Sequence, residues 1–437
     1  MDFPVVRSRG GYVHPSGPTP TGTLDLSVID RLPVLRCDAR TLHVFRHGHK
    51  AAEVIKEAVS KALVPYYPLA GCLINSSQGE LQIECPGEGL WFVEASANCT
   101  LEAVKYFDDA ASIRYDLLLP DHPPEAKDPL VQMQITQFAC DGFVIGLTFC
   151  HSICDGLGAA QFLNAVGEIA RGAEHLSVLP VWLRNFLTPP QPATSAKPTL
   201  PPPMPNYKLE HANVDILLDQ INQLKQDFQE STGQHCSAFE IVAASMWSRR
   251  TRAISLDRDA QVTLVFFANC RQILNPPLAQ GFYGNCFFPV TVRASSEMLK
   301  KASIVEVVKL IKDGKARLQD EFGKWSRGEC LDGVGDPFAP PLTYTTLFIS
   351  EWGRLGFNEI DYGWGHPVHV VPVQGSSIIP VGIVGLLPSP MKGIRLMTWC
   401  VEQAHLLPFL HQMNELSPTS SQKLKYSPLP DTASNNQ

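Results

Sequence analysis

The stretch His151-Ser152-Ile153-Cys154-Asp155-Gly156 brings an imidazole, a carboxylate and a glycine within six residues. A neutral imidazole titrates near neutrality and can take a proton from a group as it attacks a carbonyl. Asp155 can orient the loop or the ring, and Gly156 suits a sharp turn that other residues resist. Alone, H-x-x-x-D-G is short and equally compatible with a surface turn carrying a satisfied histidine. Cys150 and Cys154 flank His151, but the 12 cysteines include no C-x-x-C pair and no zinc-type Cys/His spacing, so no metal is expected. Scattered among apolar residues, they read as reduced and mostly buried. A G-x-S-x-G nucleophile elbow is absent, which argues against a serine-nucleophile mechanism.

The elements around His151 must hold it in place. Val131, Met133 and Ile135 alternate with Gln132, Gln134 and Thr136, as in a half-exposed strand. Asp141-Gly142 suits a tight hairpin turn, and Phe143 to Phe149 reads as the returning, more buried strand. After Gly156-Leu157-Gly158, a helical pattern runs through Phe162, Leu163, Val166 and Ile169. His151 therefore lies on a loop between a strand and a helix, where rigid elements can present a reactive group. Earlier, Val54, Ile55, Ala58, Val59, Ala62 and Leu63 share one face of a helix over 51–64, which Pro65 should stop.

At 437 residues, 44% hydrophobic and 18% charged, the chain has the composition of a globular protein large enough for two domains. Eight prolines fall between Pro189 and Pro205, and a segment so poor in amide donors should be an extended connector. It separates residues 1–188 from residues 207–437, with 189–206 as linker. The second part repeats the mixture, with helices at 238–253 and 304–318 and strands at 262–267, 344–349 and 378–386. From Ser417 onward Ser, Pro, Asn and Gln dominate, so a disordered tail is expected. The class is α/β, mixed α and β in two domains. A net charge of -7 without a long basic run disfavours nucleic acid. No leader-like N-terminus and no run of about 18 apolar residues stands out, so the protein is read as cytoplasmic, without membrane insertion, and as a monomer.

A second motif changes the weight of the first. Asp361-Tyr362-Gly363-Trp364-Gly365 resembles the DFGWG motif of the plant BAHD acyl-CoA-dependent acyltransferases, with Tyr in place of Phe. Tyr67-Pro68-Leu69-Ala70-Gly71 is similar to the family's YPLAG stretch, and Ser237-Ala238-Phe239-Glu240 with Trp247 resembles the helix opening its second half. Asn269-Cys270-Arg271, Asn275-Pro276-Pro277-Leu278 and Tyr283-Gly284-Asn285 follow the segment written D-x-R, PPL and YxGN, with Asn for the first Asp.

The resemblance implies two domains like chloramphenicol acetyltransferase, joined by a long crossover and separated by a solvent channel. Acyl-CoA, a co-substrate rather than a bound cofactor, would enter from one face and a small acceptor from the other, meeting at His151. It implies that Asp155 pairs with Arg271 to fix the loop; a catalytic Asp155–His151 dyad is the alternative. Asn269 removes one local charge. Asp361, Gly363, Trp364 and Gly365 would be structural supports acting from a distance, and the Tyr362 hydroxyl would need a partner if buried. Ser237 would lie on the CoA side. Ser350-Glu351-Trp352 matches the family's T-S-W segment, which implies that Ser350 can donate to the oxyanion and that Trp352 lines the acceptor pocket.

Gly328 to Gly353 contains no Arg or Lys, where family members acting on shikimate or quinate carry an Arg, so an anionic acceptor is disfavoured. Leu42-His43-Val44-Phe45 and the segment from Asp361 to Val370 are similar to the p-coumaroyl-CoA monolignol transferases, in a branch with taxane and benzyl-alcohol acyltransferases. The resemblance implies an aromatic acyl donor and a neutral alcohol acceptor. A small amine such as piperidine is the alternative, and a catalytically silent binding protein is a third reading.

Overall fold

The computed structural model describes residues 3–8, 10–109, 113–124, 128–187, 207–329, 331, 336–373 and 379–414. The proline-rich connector and the tail from Ser417 lie outside the described residues. The fold is mixed α and β, built on two large sheets.

The first sheet runs in the order Val5–Arg7, Leu90–Ala97, Val131–Phe138, Phe143–Cys150, Asp38–Phe45, His369–Val373, with Gly11–Val13 also on Leu90–Ala97. The hairpin turns at Asp141, whose φ of 59° is left-handed, and pairs Gln137 with Phe143 through to Val131 with Phe149. The first of these strands is not half-exposed: Val131 to Thr136 are all buried. Its polar face is satisfied internally, since the Gln134 amide donates to Leu117 O and Thr136 Oγ1 while its Oε1 accepts from Arg7 Nε at 2.8 Å. Alternating polarity here marks two covered faces, one of them wired by hydrogen bonds.

Helices Ala51–Ala62 and Gly156–Ala170 cover the other face with a core that includes Ile55, Val59, Phe162 and Val166. The first stops at Ala62, slightly before the expected end, and Leu63 caps it.

The second sheet runs Glu210–Leu217, Gly393–Val401, Val381–Leu386, Thr346–Glu351, Gln261–Asn269, Phe287–Ser295. Helix Ala238–Ala253 is almost wholly buried behind it, together with Ile304–Ala316 and Gln403–Asn414. The expected strand at 344–349 begins two residues later, at Thr346. Tyr344 is held outside the ladder, with its hydroxyl on His405 and Glu402 N and its ring under the Arg250 guanidinium. The expected strand at 378–386 is Val381–Leu386, with residue 378 outside the described residues. The expected helix at 304–318 ends at Ala316, and a second helix, Leu318–Ser326, follows Arg317.

One strand crosses between the halves: His369–Val373 pairs antiparallel with Asp38–Phe45 at the edge of the first sheet. Arg395 reinforces the junction, bonding Asp215 of its own sheet and Asp108 of the first half, each at 2.7 Å. Among the described residues no helix is long and apolar enough to cross a membrane.

Candidate active site

His151 leaves the sheet at the end of Phe143–Cys150, and backbone contacts fix it there. Its N–H donates to Cys37 O at 2.9 Å, immediately before Asp38–Phe45. Its carbonyl accepts from Asn285 Nδ2 at 2.9 Å. Asn285 is held in turn by Asp30, which accepts from its side-chain amide at 2.7 Å and its backbone N–H at 3.1 Å. Arg184 joins the same group, 3.1 Å from Asp30 Oδ2 and donating to Ile153 O at 2.8 Å. The Arg184 and Asp30 side chains are 2% and 0% exposed, so this ion pair is closed to water. Breaking such a pair leaves an uncompensated buried charge. Sequence reasoning missed Asp30 and Arg184, which carry no local pattern.

Asp155 caps helix Gly156–Ala170, accepting from Gly158 N at 3.1 Å. Its carboxylate also accepts from Arg271 Nη2 at 2.8 Å and Cys286 N at 3.3 Å. Among the described residues none of its hydrogen bonds reaches the His151 ring, whose Nδ1 is buried without a partner. Burial alone would lower the Arg271 pKa, but the Asp155 charge and hydrogen bond raise it. Asn269 Oδ1 accepts from Arg271 N at 3.1 Å and Nη1 at 3.2 Å, so an amide oxygen here does part of a carboxylate's work.

The glycines play roles other than the expected one. Gly156 is the first helical residue and not a left-handed turn; a Cβ there would meet the Leu355 side chain at 2.6 Å. Gly158 is under the stricter demand, because its Cβ would lie 1.9 Å from the Tyr283 carbonyl oxygen.

His151 opens onto a mainly apolar cavity of about 320 Å³ between the two sheets. The first sheet contributes Thr41 and Phe149, the second contributes Phe267, Ser350 and Glu351, and Trp352 adds to the lining from the segment that follows. Ser350 and Glu351 end the strand Thr346–Glu351, and Trp352 follows it. Trp352 Nε1 donates to Ser350 Oγ at 3.1 Å. A hydroxyl that accepts in this way keeps its own hydrogen free to donate. Burial raises the Glu351 pKa, with Arg354 partly offsetting it; Glu351 Oε1 accepts from Gly353 N at 3.1 Å.

Glu351 also belongs to the wall of a second, wider cavity of about 860 Å³, bordered by Arg46, Lys225, Arg354 and Lys392. The glycine-rich motif lies beside it through His366. Asp361 Oδ1 accepts from Gly363 N at 2.8 Å and Gly365 N at 2.9 Å. Partial burial opposes ionisation of Asp361, yet these amides hold its pKa below the ordinary value. Arg171 donates to the Asp361 carbonyl. Trp364 meets Phe143 edge-on at 5.7 Å. Tyr362 packs on Phe45 and is buried, yet its hydroxyl has no partner among the described residues, contrary to the expectation that it would need one. The position is filled by ring packing, for which a phenyl group would serve as well. Ser237 is engaged in a capping box with Glu240, and its neighbour Ala238 lines the second cavity.

An imidazole and a hydroxyl facing one apolar cavity, beside a cation-bordered one, belong here to an acyl-CoA-dependent acyltransferase. The sequence profile of the Transferase family matches residues 4–416. The chain belongs to that family, the BAHD acyltransferases, as its motifs led one to expect.

It is 41% identical to Acyl transferase 4 of Oryza sativa subsp. japonica, over 94% of this chain and 99% of that protein. Identity is 40% to a myricetin 3-O-glucosyl 1,2-rhamnoside 6'-O-caffeoyltransferase of Crocosmia x crocosmiiflora, covering 95% of this chain and 100% of the relative. It is 36% to 3'-N-debenzoyl-2'-deoxytaxol N-benzoyltransferase of Taxus canadensis, covering 93% and 95%. In fold it is similar to vinorine synthase, with a TM-score of 0.72 at 21% identity over 94% of this chain and 98% of that one. It is similar too to F. graminearum TRI101 complexed with ethyl coenzyme A, with a TM-score of 0.72 at 11% identity over 89% and 96%.

Proposed function

We propose that the protein transfers an aromatic acyl group, of hydroxycinnamoyl or benzoyl type, from acyl-CoA to a small neutral alcohol. The observation that carries this reading is that His151, at the end of a strand of the first sheet, and Ser350, from the second, line one mainly apolar cavity. His151 accepts the hydroxyl proton as the acceptor oxygen attacks the thioester carbonyl. The Ser350 hydroxyl, kept free to donate by Trp352, stabilises the oxyanion of the tetrahedral intermediate. Collapse expels the CoA thiolate, which takes up the proton from His151, and no covalent acyl-enzyme forms.

The second cavity suits the donor, because its four cations complement the CoA phosphates and its wall is shared with the first at Glu351. The apolar, ring-rich lining of the first suits an aromatic acyl chain, and a caffeoyl- and a benzoyltransferase stand among the relatives. Asp155 and Arg271 act as positioning residues in this scheme. A monomer acting in the cytoplasm, with residues 1–188 and 207–437 as its two domains, completes the proposal.

One observation favours a second reading, transfer to an amine. Glu351 is a partly buried carboxylate in a cavity lined by no Lys or Arg among the described residues, and it would attract a protonated amine. An N-benzoyltransferase is among the relatives.

The test is incubation of the purified protein with one aromatic acyl-CoA and equal amounts of an aryl-alkyl alcohol and a cyclic secondary amine. Ester should predominate in the mass spectrum, with stoichiometric CoA thiol. Predominant amide at every pH would establish the second reading, and no product from any aromatic acyl-CoA would remove the aromatic one.

A further inference from the structure

The first cavity is lined by Thr41, which the proposed chemistry does not use and which pairs with a histidine behind it. Thr41 is only 3% exposed, lies on Asp38–Phe45 and lines the cavity beside Leu147, Phe149 and Phe357. Its Oγ1 lies 2.8 Å from Nε2 of His43, which is fully buried. His43 packs edge-on against Phe357, which lies against Trp352. His43 Nδ1 is buried and has no hydrogen-bond partner among the described residues. Burial holds this ring neutral, with its pKa pushed down to about 3.

A neutral imidazole carries one N–H and one lone pair. Placing the proton on Nδ1 would strand a buried donor, which is rare in folded proteins; placing it on Nε2 strands only a lone pair. Nε2–H therefore donates to Thr41 Oγ1, and the threonine hydrogen is left to donate elsewhere. Thr41 lines the cavity, so that hydrogen can be offered to a group held there.

Position along the strand indicates what it would meet. Cys37, one residue before the strand, bonds His151 N. Four residues further on, at about 3.3 Å per residue, Thr41 sits roughly 13 Å from that point. An aryl-propenoyl or comparable group with its carbonyl at His151 would bring ring substituents to this end of the cavity.

We infer that Thr41, oriented by His43, is a specificity-determining hydrogen-bond donor for an oxygen carried on the ligand's aromatic ring, a phenol, aryl ether or methylenedioxy group. The inference rests on the aromatic reading of the cavity and deepens it. The oxygen can sit on the acyl group or on the acceptor, and the test has an arm for each.

In one arm kcat/KM is compared for 4-hydroxycinnamoyl-CoA and cinnamoyl-CoA with a fixed alcohol. In the other, 4-hydroxybenzyl and benzyl alcohol are compared with a fixed acyl-CoA. The wild-type protein should prefer the oxygenated partner by about tenfold in one arm, the scale of one buried hydrogen bond. Thr41→Val, close in shape, should abolish that preference in the same arm, and Thr41→Ser should retain most of it. Equal wild-type rates in both arms, or a preference that survives Thr41→Val, overturn the inference while leaving the aromatic reading intact. No turnover of any aromatic pair overturns both, and the wild-type comparison stands even if a variant does not fold.

Discussion

His151 has its backbone tied at both N–H and carbonyl, while no carboxylate touches its ring among the described residues. Removing the ring should therefore spare the fold and lower kcat by about a hundredfold or more, the scale of a positioned base. Steady-state kinetics on folded His151→Ala checks this, and near-normal turnover would remove it as the base. Asp155→Ala should act differently, because it leaves the mostly buried Arg271 unpaired and also uncaps the following helix. Breaking a buried pair costs about 3–5 kcal/mol, so denaturant unfolding should show a large loss alongside the loss of rate. Unchanged stability with a rate as low as that of His151→Ala would favour a dyad instead. His151, Asp155 and Arg271 were legible because each belongs to a short pattern. Asp30, Arg184 and Thr41 were not, since each is a single residue given meaning by contact; Asp30 meets Arg184 across 154 positions and Asn285 across 255.

Hydrophobic periodicity located the elements on either side of His151, but their burial depended on what came to cover them. Val131–Phe138 alternates polar and apolar residues and is nonetheless buried on both faces, because Gln134 finds internal partners for its amide. The start of Thr346–Glu351 was misplaced since the partners of Tyr344 lie near residues 250 and 402. At this scale Gly158 and Gly156 make a matched test. Gly158→Ala drives a methyl into a backbone carbonyl, whereas Gly156→Ala meets a leucine that can shift. The former should lose about 1–3 kcal/mol by overpacking and the latter less. Thermal melts of both variants check the order, and a reversed order would mean that the helix entry is looser than its geometry.

Across the molecule, the buried His43 and His369 and the partly buried His211 set an acid limit. Burial pushes the pKa of His43 down to about 3 and those of His211 and His369 down to about 4. The unfolded chain takes up these protons first, at about pH 6.5, so their contribution to stability is fully present above that pH. It is lost as pH falls from about 6.5 toward 4 for His211 and His369 and toward 3 for His43, at up to about 1.4 kcal/mol per pH unit for each histidine. Urea unfolding at pH 7 and pH 5 should show a marked loss at the lower pH. His369→Phe should flatten the dependence, and an identical slope in that variant would exclude His369 as a contributor. His369 begins the strand that joins the two halves, a pairing that no local pattern could announce because its partner lies more than 300 residues away.

That strand has a consequence for synthesis on the ribosome. The edge of Asp38–Phe45 emerges early, but the chain that covers it, His369–Val373, is made far later. At about 5–20 residues per second, the first sheet waits roughly fifteen seconds to a minute with that edge unpaired, open to other nascent chains. A protein truncated before residue 369 should aggregate when expressed alone and become soluble when the remainder is supplied in trans. Chaperone occupancy of the nascent chain should accordingly persist past the proline-rich connector and decline only once the late strand has cleared the exit tunnel.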